Sequence, residues 1–504
     1  MKLKTLTLAL LATTIPTTGV FAAALDRSGQ SISAFLQPDN YFEAGISILD
    51  PTVEGQEAGT SETRRDISDM GDDYYFPSAA VKLQVTDKFS FGLLYDQPFG
   101  ADAAYKGNNV FVSNPGVDTV LGDSSITNLA KEKLNPLTAE QRVGLALQGK
   151  GVDLTTPQGQ AIYGQTLQAY KGNVGTTKND IDTGVLNGIK QVVKGTLAPI
   201  DAGLGKGNTT VEVDTQNLSM IFGFQPTKNI NLYGGGVYQT IKGSVSLRGQ
   251  AYSLYNGYDA KIKETGGAGW LAGAAFQIPE IALKASVTYR SEIDHDVDAV
   301  ETLSAEPALD SNPAVLGALG ITTEDYKKIK QPGKTKITTP QSVNVDFQTG
   351  IMENTIAFAN LRWVNWKDFS IQPYKFGEIS KLVGPLVKQP GGFNLVEYSD
   401  DQYSVTAGVG RKVNDHWAGN VSVGWDSGAG NPVSTLGPTE GYWNVGLGVQ
   451  YSPTPATFIS GGVKYFWLGD AKAQTGAQAG GSDYVAEFKD NNALAYGLKL
   501  GYRF

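Results

Sequence analysis

Four cations carry the chemistry that this sequence offers most readily. Lys242, Lys284, Arg290 and Arg362 each fall in a stretch where apolar and polar residues alternate, and each sits on the polar side. Side chains of an extended chain point alternately to opposite faces, so such a cation stands on a wet wall backed by an oily one. There it can pair with an acid of the same kind of wall, such as Glu292, Asp346 or Asp426, or meet an anionic group passing along it. Other chemistry is thinly represented. Cysteine is absent, which excludes thiol nucleophiles, zinc–thiolate sites and iron–sulfur clusters. The two histidines, His295 and His416, stand apart with no nucleophile elbow, so an enzyme is not expected. Asp69 to Asp73 could hold a divalent ion but reads as a solvated loop, and neither a metal nor a cofactor is expected. Gly267-Ala268-Gly269-Trp270-Leu271-Ala272 has the form of a dinucleotide-binding turn, yet it lies within an alternating run rather than at a strand–helix junction.

The elements that must position these residues are strands. In the last segment Tyr496, Leu498, Leu500, Tyr502 and Phe504 share one face, and Gly497, Lys499, Gly501 and Arg503 share the other. The same alternation recurs through Ile281 to Arg290, Ser342 to Gln348, Val421 to Asp426 and Trp443 to Tyr451. Short turns fall at 86–88, 227–229, 279–280, 352–354, 414–416 and 452–456. Between them lie long polar loops at about 50–74, 98–209, 248–258, 294–335, 370–401, 427–440 and 470–484. Short and long connections alternate without exception, joining 14 strands with both termini on the short-turn side. Outer-membrane barrels sort their loops in this way, with short periplasmic turns and long extracellular loops. The expected fold is therefore an all-β, transmembrane antiparallel β-barrel of about 14 strands with partly helical extracellular loops. Trp363, Trp366, Trp425, Trp443 and Trp467 sit near strand ends, where aromatic girdles form.

The N-terminus has the form of an export signal. Lys2 and Lys4 precede a short apolar run, and Val20-Phe21-Ala22 supplies small residues for cleavage. Residues 1–22 are thus expected to be a cleaved signal peptide, 23–40 a short N-terminal segment forming a reduced plug, and 41–504 the barrel, with a large insertion at about 98–209. The net charge of −9, two lower without Lys2 and Lys4, argues against nucleic acid as a partner. The expected location is the outer membrane of a Gram-negative cell, among its lipids and lipopolysaccharide.

Two loops carry helical periodicity. Val185, Leu186, Ile189 and Val193 lie on one face of a helix in the 98–209 insertion, and Val315, Leu316, Leu319 and Ile321 form a second patch. Such pieces can cap the barrel by packing on one another, or present an apolar groove to the outside.

Several segments carry a family likeness. Thr288-Tyr289-Arg290-Ser291-Glu292 ends a strand; Trp363 to Phe369 closes with Trp-x-x-Phe; Val237-Tyr238 is followed by Lys242; Asn414-Asp415-His416-Trp417 precedes Gly424-Trp425-Asp426-Ser427. In this order they resemble the FadL-type family of outer-membrane long-chain fatty acid transporters, with its aromatic-hydrocarbon channels of the TodX kind, from about Tyr41 to Phe504. The resemblance implies a monomeric 14-stranded barrel closed by an N-terminal hatch. Hydrophobic ligand would be captured between the loops near 98–209 and 294–335, passed to an inner pocket and released through a lateral opening. The family's hatch carries Asn-Pro-Ala before the first strand. Residues 23–40 lack it, and Asn312-Pro313-Ala314 falls in a loop, so a truncated or replaced hatch is expected.

A fatty acid brings an apolar tail, whose burial yields about 0.8 kcal/mol per CH₂, and a carboxylate that needs a partner when buried. Lys242, Arg290, Lys284 and Arg362 are the lumen candidates for the head. The two helical faces named above are the loop candidates for the tail. Two other classes of function remain open at this stage: a porin for small polar solutes with the long loop folded inward, and a structural or adhesive surface protein.

Overall fold

The computed structural model describes residues 25–318 and 321–504. The expected signal peptide at 1–22 lies outside the described residues. Fourteen strands form the wall: β1 (Tyr41–Thr52), β2 (Tyr74–Gln84), β3 (Phe89–Asp96), β4 (Thr210–Thr227), β5 (Ile230–Leu247), β6 (Tyr258–Ile278), β7 (Leu283–Arg290), β8 (Ser342–Met352), β9 (Thr355–Val364), β10 (Gln402–Lys412), β11 (Trp417–Asp426), β12 (Tyr442–Thr454), β13 (Thr457–Leu468) and β14 (Asn492–Arg503). Each is antiparallel to its sequence neighbour, and β14 returns to β1 in a twelve-residue ladder from Tyr41↔Arg503 to Thr52↔Asn492. The sheet is a closed ring with no free edge around its base, as a spanning β-structure in lipid requires.

The alternation seen in the sequence is the alternation of the wall. Leu498, Leu500, Tyr502 and Phe504 all point outward and are about half exposed, as are Phe222, Leu447 and Val423 on other strands. Trp425, Trp443 and Trp467 occupy neighbouring rungs, Trp425↔Trp443 and Trp443↔Trp467, with Trp363 opposite Tyr403 further round, and make the outer aromatic girdle. Trp366 does not join them. It is fully buried under the loops, packed edge-on against Phe99 and Phe369, with its indole N–H donating to Gln402 Oε1 at 2.7 Å. Proximity to a strand end placed it in the girdle; the turn after Val364 swings it inside.

Two strands leave the cylinder. After Arg290 the chain dips inward, and residues Ile293–Val297 pair with Thr335–Thr339 behind β6 before Ala299–Leu303 rejoins the outer end of β6. The glycines of β6 permit this approach: a Cβ on Gly267 would lie 2.5 Å from Asp294 O, and one on Gly269 would meet Ile293. The other departure is at Pro98, described below.

The 98–209 insertion holds four helices: α1 (Asp123–Leu134), α2 (Ala139–Gly149), α3 (Pro157–Lys171) and α4 (Thr177–Asp201). Thr138 and Gln141 form a reciprocal cap at the start of α2. Val143, Leu147, Tyr170, Ile181 and Val185 make a separate core for this unit. The 294–335 loop adds α5 (Glu306–Ser311), α6 (Pro313–Ala318) and α7 (Thr323–Ile329), and the 370–401 loop adds α8 (Tyr374–Val383). The largest core lies where these loops roof the barrel.

Candidate functional site

The lumen is filled from below by residues 25–40. Ile32, Phe35 and Leu36 pack on Ala80, Leu94, Ile221, Tyr233 and Leu271 of the inner wall. The backbone of this plug is held by cations of the strands. Arg362 makes a buried pair with Asp26, Nε to Oδ2 at 2.7 Å, and donates also to Gly29 O, Gln30 Oε1 and Asn344 Oδ1. Lys284 Nζ donates to Leu36 O at 2.7 Å, and Arg290 donates to Gln30 O and Ser219 Oγ, each at 3.2 Å. Asn344 reaches Gly29 O at 2.7 Å. A cavity of about 200 Å³ lies between this plug and the strands β7 to β14 and β1 to β3, with Lys284, Arg290, Lys464 and Lys499 on its walls beside Glu43, Asp96 and Asp346.

The top of the plug pairs with the wall. Asp26 bridges Phe99; Arg27 N donates to Pro98 O at 2.6 Å, and Gly100 N to Leu25 O at 2.9 Å. Pro98 has no N–H to offer a ladder, and here β3 turns inward to meet the plug. The β2–β3 ladder runs from Gln84↔Ser90 to Ala79↔Tyr95 and then stops; the next bridge is Gly71↔Ala103. Between them the wall is open along residues 73–78 on one edge and 96–101 on the other. The lumen cavity reaches this break through Phe76, Pro77, Ser78, Tyr95 and Gln97.

Above the plug lie two apolar chambers. The outer, about 90 Å³, is walled by Tyr252, Tyr255, Phe376, Val383, Phe393 and neighbours. Tyr255 stacks on Phe376 with ring centres 4.3 Å apart. The tyrosine hydroxyls are turned to internal acceptors, Tyr252 to Thr435 Oγ1 and Tyr255 to Phe376 O, which leaves the walls apolar. Glu301 fixes α8 by accepting from Lys375 N at 2.8 Å and Phe376 N at 2.9 Å, a carboxylate set at a helix N-terminus. The inner chamber, about 60 Å³, is walled by Leu25, Arg27, Tyr74, Ala101, Val213, Ile262 and others. Leu395 and Leu436 line both chambers and form the partition between them. Tyr74 and Ala101 belong to the two edges of the wall break, so the inner chamber ends there.

The residues singled out from the sequence fall into three groups. Arg362, Lys284 and Arg290 face the lumen and hold the plug, and Lys284 and Arg290 also line the lower cavity. Lys242 does not face the lumen: Gln239 and Ile241 are the buried, inward residues of that stretch, and Lys242 points outward to Asp214, 3.3 Å away. A bulge in the β5–β6 ladder between Ile241 and Gly243 adjoins it, and sequence pattern alone did not set its side. Val185, Val193, Val315, Leu316 and Ile321 are buried in the packing of the loops, with Leu186 and Ile189 partly buried; none lines a chamber. Leu319 lies outside the described residues. Asp69 serves its loop, accepting from Val53 N and Gly71 N. His295 is buried with Nε2 3.1 Å from Gln239 Oε1, and His416 lies in a turn against Ser452 O. Arg27, Phe376 and Phe393 were missed. The spacing of Phe376, Ile379 and Val383 was the available signal for α8.

A closed barrel with an oily skin, a plugged lumen and roofed apolar chambers is an outer-membrane channel of the kind that handles hydrophobic compounds. Residues 207–504 match the family described as outer membrane protein transport protein (OMPP1/FadL/TodX), and the chain belongs to that family. Among solved structures it is similar to a FadL homologue of Pseudomonas aeruginosa, with 12% identity over 98% of this chain and 99% of that one and a TM-score of 0.58. It is also similar to the toluene transporter TodX of Pseudomonas putida, with 8% identity over 99% and 98% of the two chains and a TM-score of 0.50. A TodX deltaS2S3 mutant, titled a monoaromatic hydrocarbon channel, gives 9% identity over 97% of each chain and a TM-score of 0.52. These identities speak for the fold. No curated protein matches the sequence.

Proposed function

We propose that this barrel passively admits hydrophobic small molecules from the cell exterior, long-chain fatty acids foremost, and releases them sideways into the outer membrane. The observation that carries this reading is the adjacency of the outer chamber, the inner chamber and the wall break, with Leu395 and Leu436 as the partition between the two chambers. Leu395 and Leu436 are common to both chambers, and Tyr74 and Ala101 are common to the inner chamber and the break. A flexible alkyl chain can thread two small adjoining spaces in turn as the side chains of Leu395 and Leu436 turn aside. Each methylene moved from water to such walls contributes about 0.8 kcal/mol. Capture then belongs to α8 and the 250–255 turn rather than to the two helical faces expected from the sequence. The ring closed by β1 and β14 needs no second copy, and we read the channel as a monomer set in outer-membrane lipid and lipopolysaccharide. The protein acts as a channel and not as an enzyme.

Aromatic hydrocarbons are the second reading, favoured by the ring-lined outer chamber of Tyr252, Tyr255, Phe376 and Phe393. Uptake of labelled oleate and of toluene by a strain lacking its own transporters separates the two. Restored oleate uptake supports the first reading, and toluene alone supports the second. Neither, with ion conductance in planar bilayers, would mean a porin.

A further inference from the structure

The two apolar chambers meet at a pair of leucines carried by different loops. Leu395 comes from the 370–401 loop and Leu436 from the 427–440 loop, and each lines both spaces. The backbone around each is fixed. Leu395 N donates to Ile371 O at 2.9 Å, and Val396 and Glu397 pair with Ile371 and Ser370. Just before it, Phe393 N donates to Ser380 Oγ at 3.1 Å, and Asn394 O lies so close to Gly476 that a Cβ there would collide with it. In the other loop Val433 and Ser434 pair with Ala473 and Gln474, and Thr435 N donates to Gln474 O at 3.0 Å. Thr435 also accepts from two hydroxyls, that of Tyr105 at its carbonyl (2.6 Å) and that of Tyr252 at Oγ1 (3.0 Å). The side chains are freer than the backbones. A leucine with a chamber on each side can change between staggered rotamers without displacing packed neighbours. Gly437 follows Leu436 on the wall of the inner chamber and leaves room for this. Among the described residues, a Cβ built on it meets nothing within 4 Å beyond its chain neighbours.

We propose that Leu395 and Leu436 form a side-chain gate that caps the girth of what reaches the wall break, a limit set by shape and not by charge. This rests on the reading of the chambers as a ligand route and names the point where that route is narrowest. With both backbones tied into ladders and turns, the opening is no wider than two isobutyl groups can clear. A methylene chain passes in the space that one such group vacates, and so does a single ring entering edge-on. A cage hydrocarbon is broad in every direction and would have to move the loops themselves. That movement would break the bonds of Thr435 to Tyr105, Tyr252 and Gln474, or the pairing of Val396 with Ile371. A buried hydrogen-bonding group left without its partner is costly, so the loops stay and the leucines turn. Leu436 turns toward Gly437, where the space is open.

The test adds adamantane, a cage hydrocarbon, to the oleate and toluene uptake measured with the full-length barrel in a transporter-deficient strain. Heat-modifiable migration of each variant reports barrel assembly. The unaltered barrel is expected to raise uptake of oleate or toluene and to leave adamantane at the level of cells without it. Leu436→Ala removes most of an isobutyl group from the gate, and adamantane uptake should rise about fivefold or more while the compound already carried stays within about twofold. Leu436→Trp overpacks the gap and leaves no rotamer that clears the path, so uptake of that compound should fall about tenfold or more. Gly437→Leu keeps both gate residues and fills the space into which Leu436 turns, and a fall of about threefold or more is expected. Adamantane carried as fast as oleate or toluene by the unaltered barrel would overturn the proposal. So would unchanged uptake in Leu436→Trp or in Gly437→Leu, or adamantane still excluded by both Leu436→Ala and Leu395→Ala. If Leu436→Trp does not assemble, Gly437→Leu decides by the same criterion, its site being open in the fold. An unaltered barrel that carries neither oleate nor toluene overturns the route itself, a failure distinct from that of the gate.

Discussion

The lower and upper halves of the lumen solve opposite problems. Below, polar side chains face inward and are matched to the backbone of a short plug: Arg362 alone reaches Asp26, Gly29, Gln30 and Asn344. Above, aromatic and aliphatic side chains face one another across open space, and their few hydroxyls are turned away into the protein. The contrast shows that a cation on the wet face of a barrel strand signals something to be held in place. On the proposed route, the ligand chemistry lies where the polar groups have been removed.

The largest effect expected from this contrast is on the plug. Arg362→Ala leaves Asp26 buried without its partner, and the loss should be about 3–5 kcal/mol. Urea-induced unfolding of the purified barrel in detergent reads it, and leak of small polar solutes should rise as the plug loosens. Unchanged stability would remove the structural role assigned to the lower cations. Next comes Phe376→Ala in the outer chamber. It strips a ring wall worth about 1.5–3 kcal/mol of burial, and apolar-ligand uptake should fall about tenfold. The control is Val143→Asp in the core of the helical insertion, which should unsettle α2 while uptake stays within about twofold. Equal losses in both would return capture to the insertion.

A smaller effect concerns the roof. Burial, aided by the neighbouring Asp426 and Asp400, pushes the Glu440 carboxyl in the 427–440 loop up to about 7, against the Gly430 N–H that favours its charged form. A carboxyl raised in the fold contributes most when protonated. Its contribution is full below the ordinary carboxylate range, near 4.3, and is lost as pH rises through about 7. Hydrogen-exchange protection factors in this loop, which divide out the intrinsic pH dependence of exchange, should therefore be higher at pH 5 than at pH 8, and Glu440→Gln should flatten the difference. Smallest of all is Lys242→Ala. An exposed pair with Asp214 is worth less than about 1 kcal/mol, and neither uptake nor unfolding should change measurably.

The wall was legible because each of its residues meets lipid or lumen, and a two-residue period records that choice directly. Loop parity added the topology, since short turns and long loops cannot be interchanged in a membrane. The plug's bonds were not legible. Lys284 and Arg290 donate to the carbonyls of Leu36 and Gln30, which leave no mark in residue type. The helical faces at Val185 and Val315 were correctly amphipathic, but amphipathicity records that a face is covered and does not say by what. They are covered by other helices and by the roof. The inward turn after Arg290 had a trace in Gly267 and Gly269, where β6 needs a bare backbone for Ile293 and its neighbours to lie against it.

The plug fixes an order of events. Its residues leave the ribosome before any of the wall, yet their partners are spread over β3, β7, β8 and β9, and the cylinder is sealed only when β14 meets β1. The plug must wait for the last strand to arrive, and the wall finishes by closing around a segment made before it.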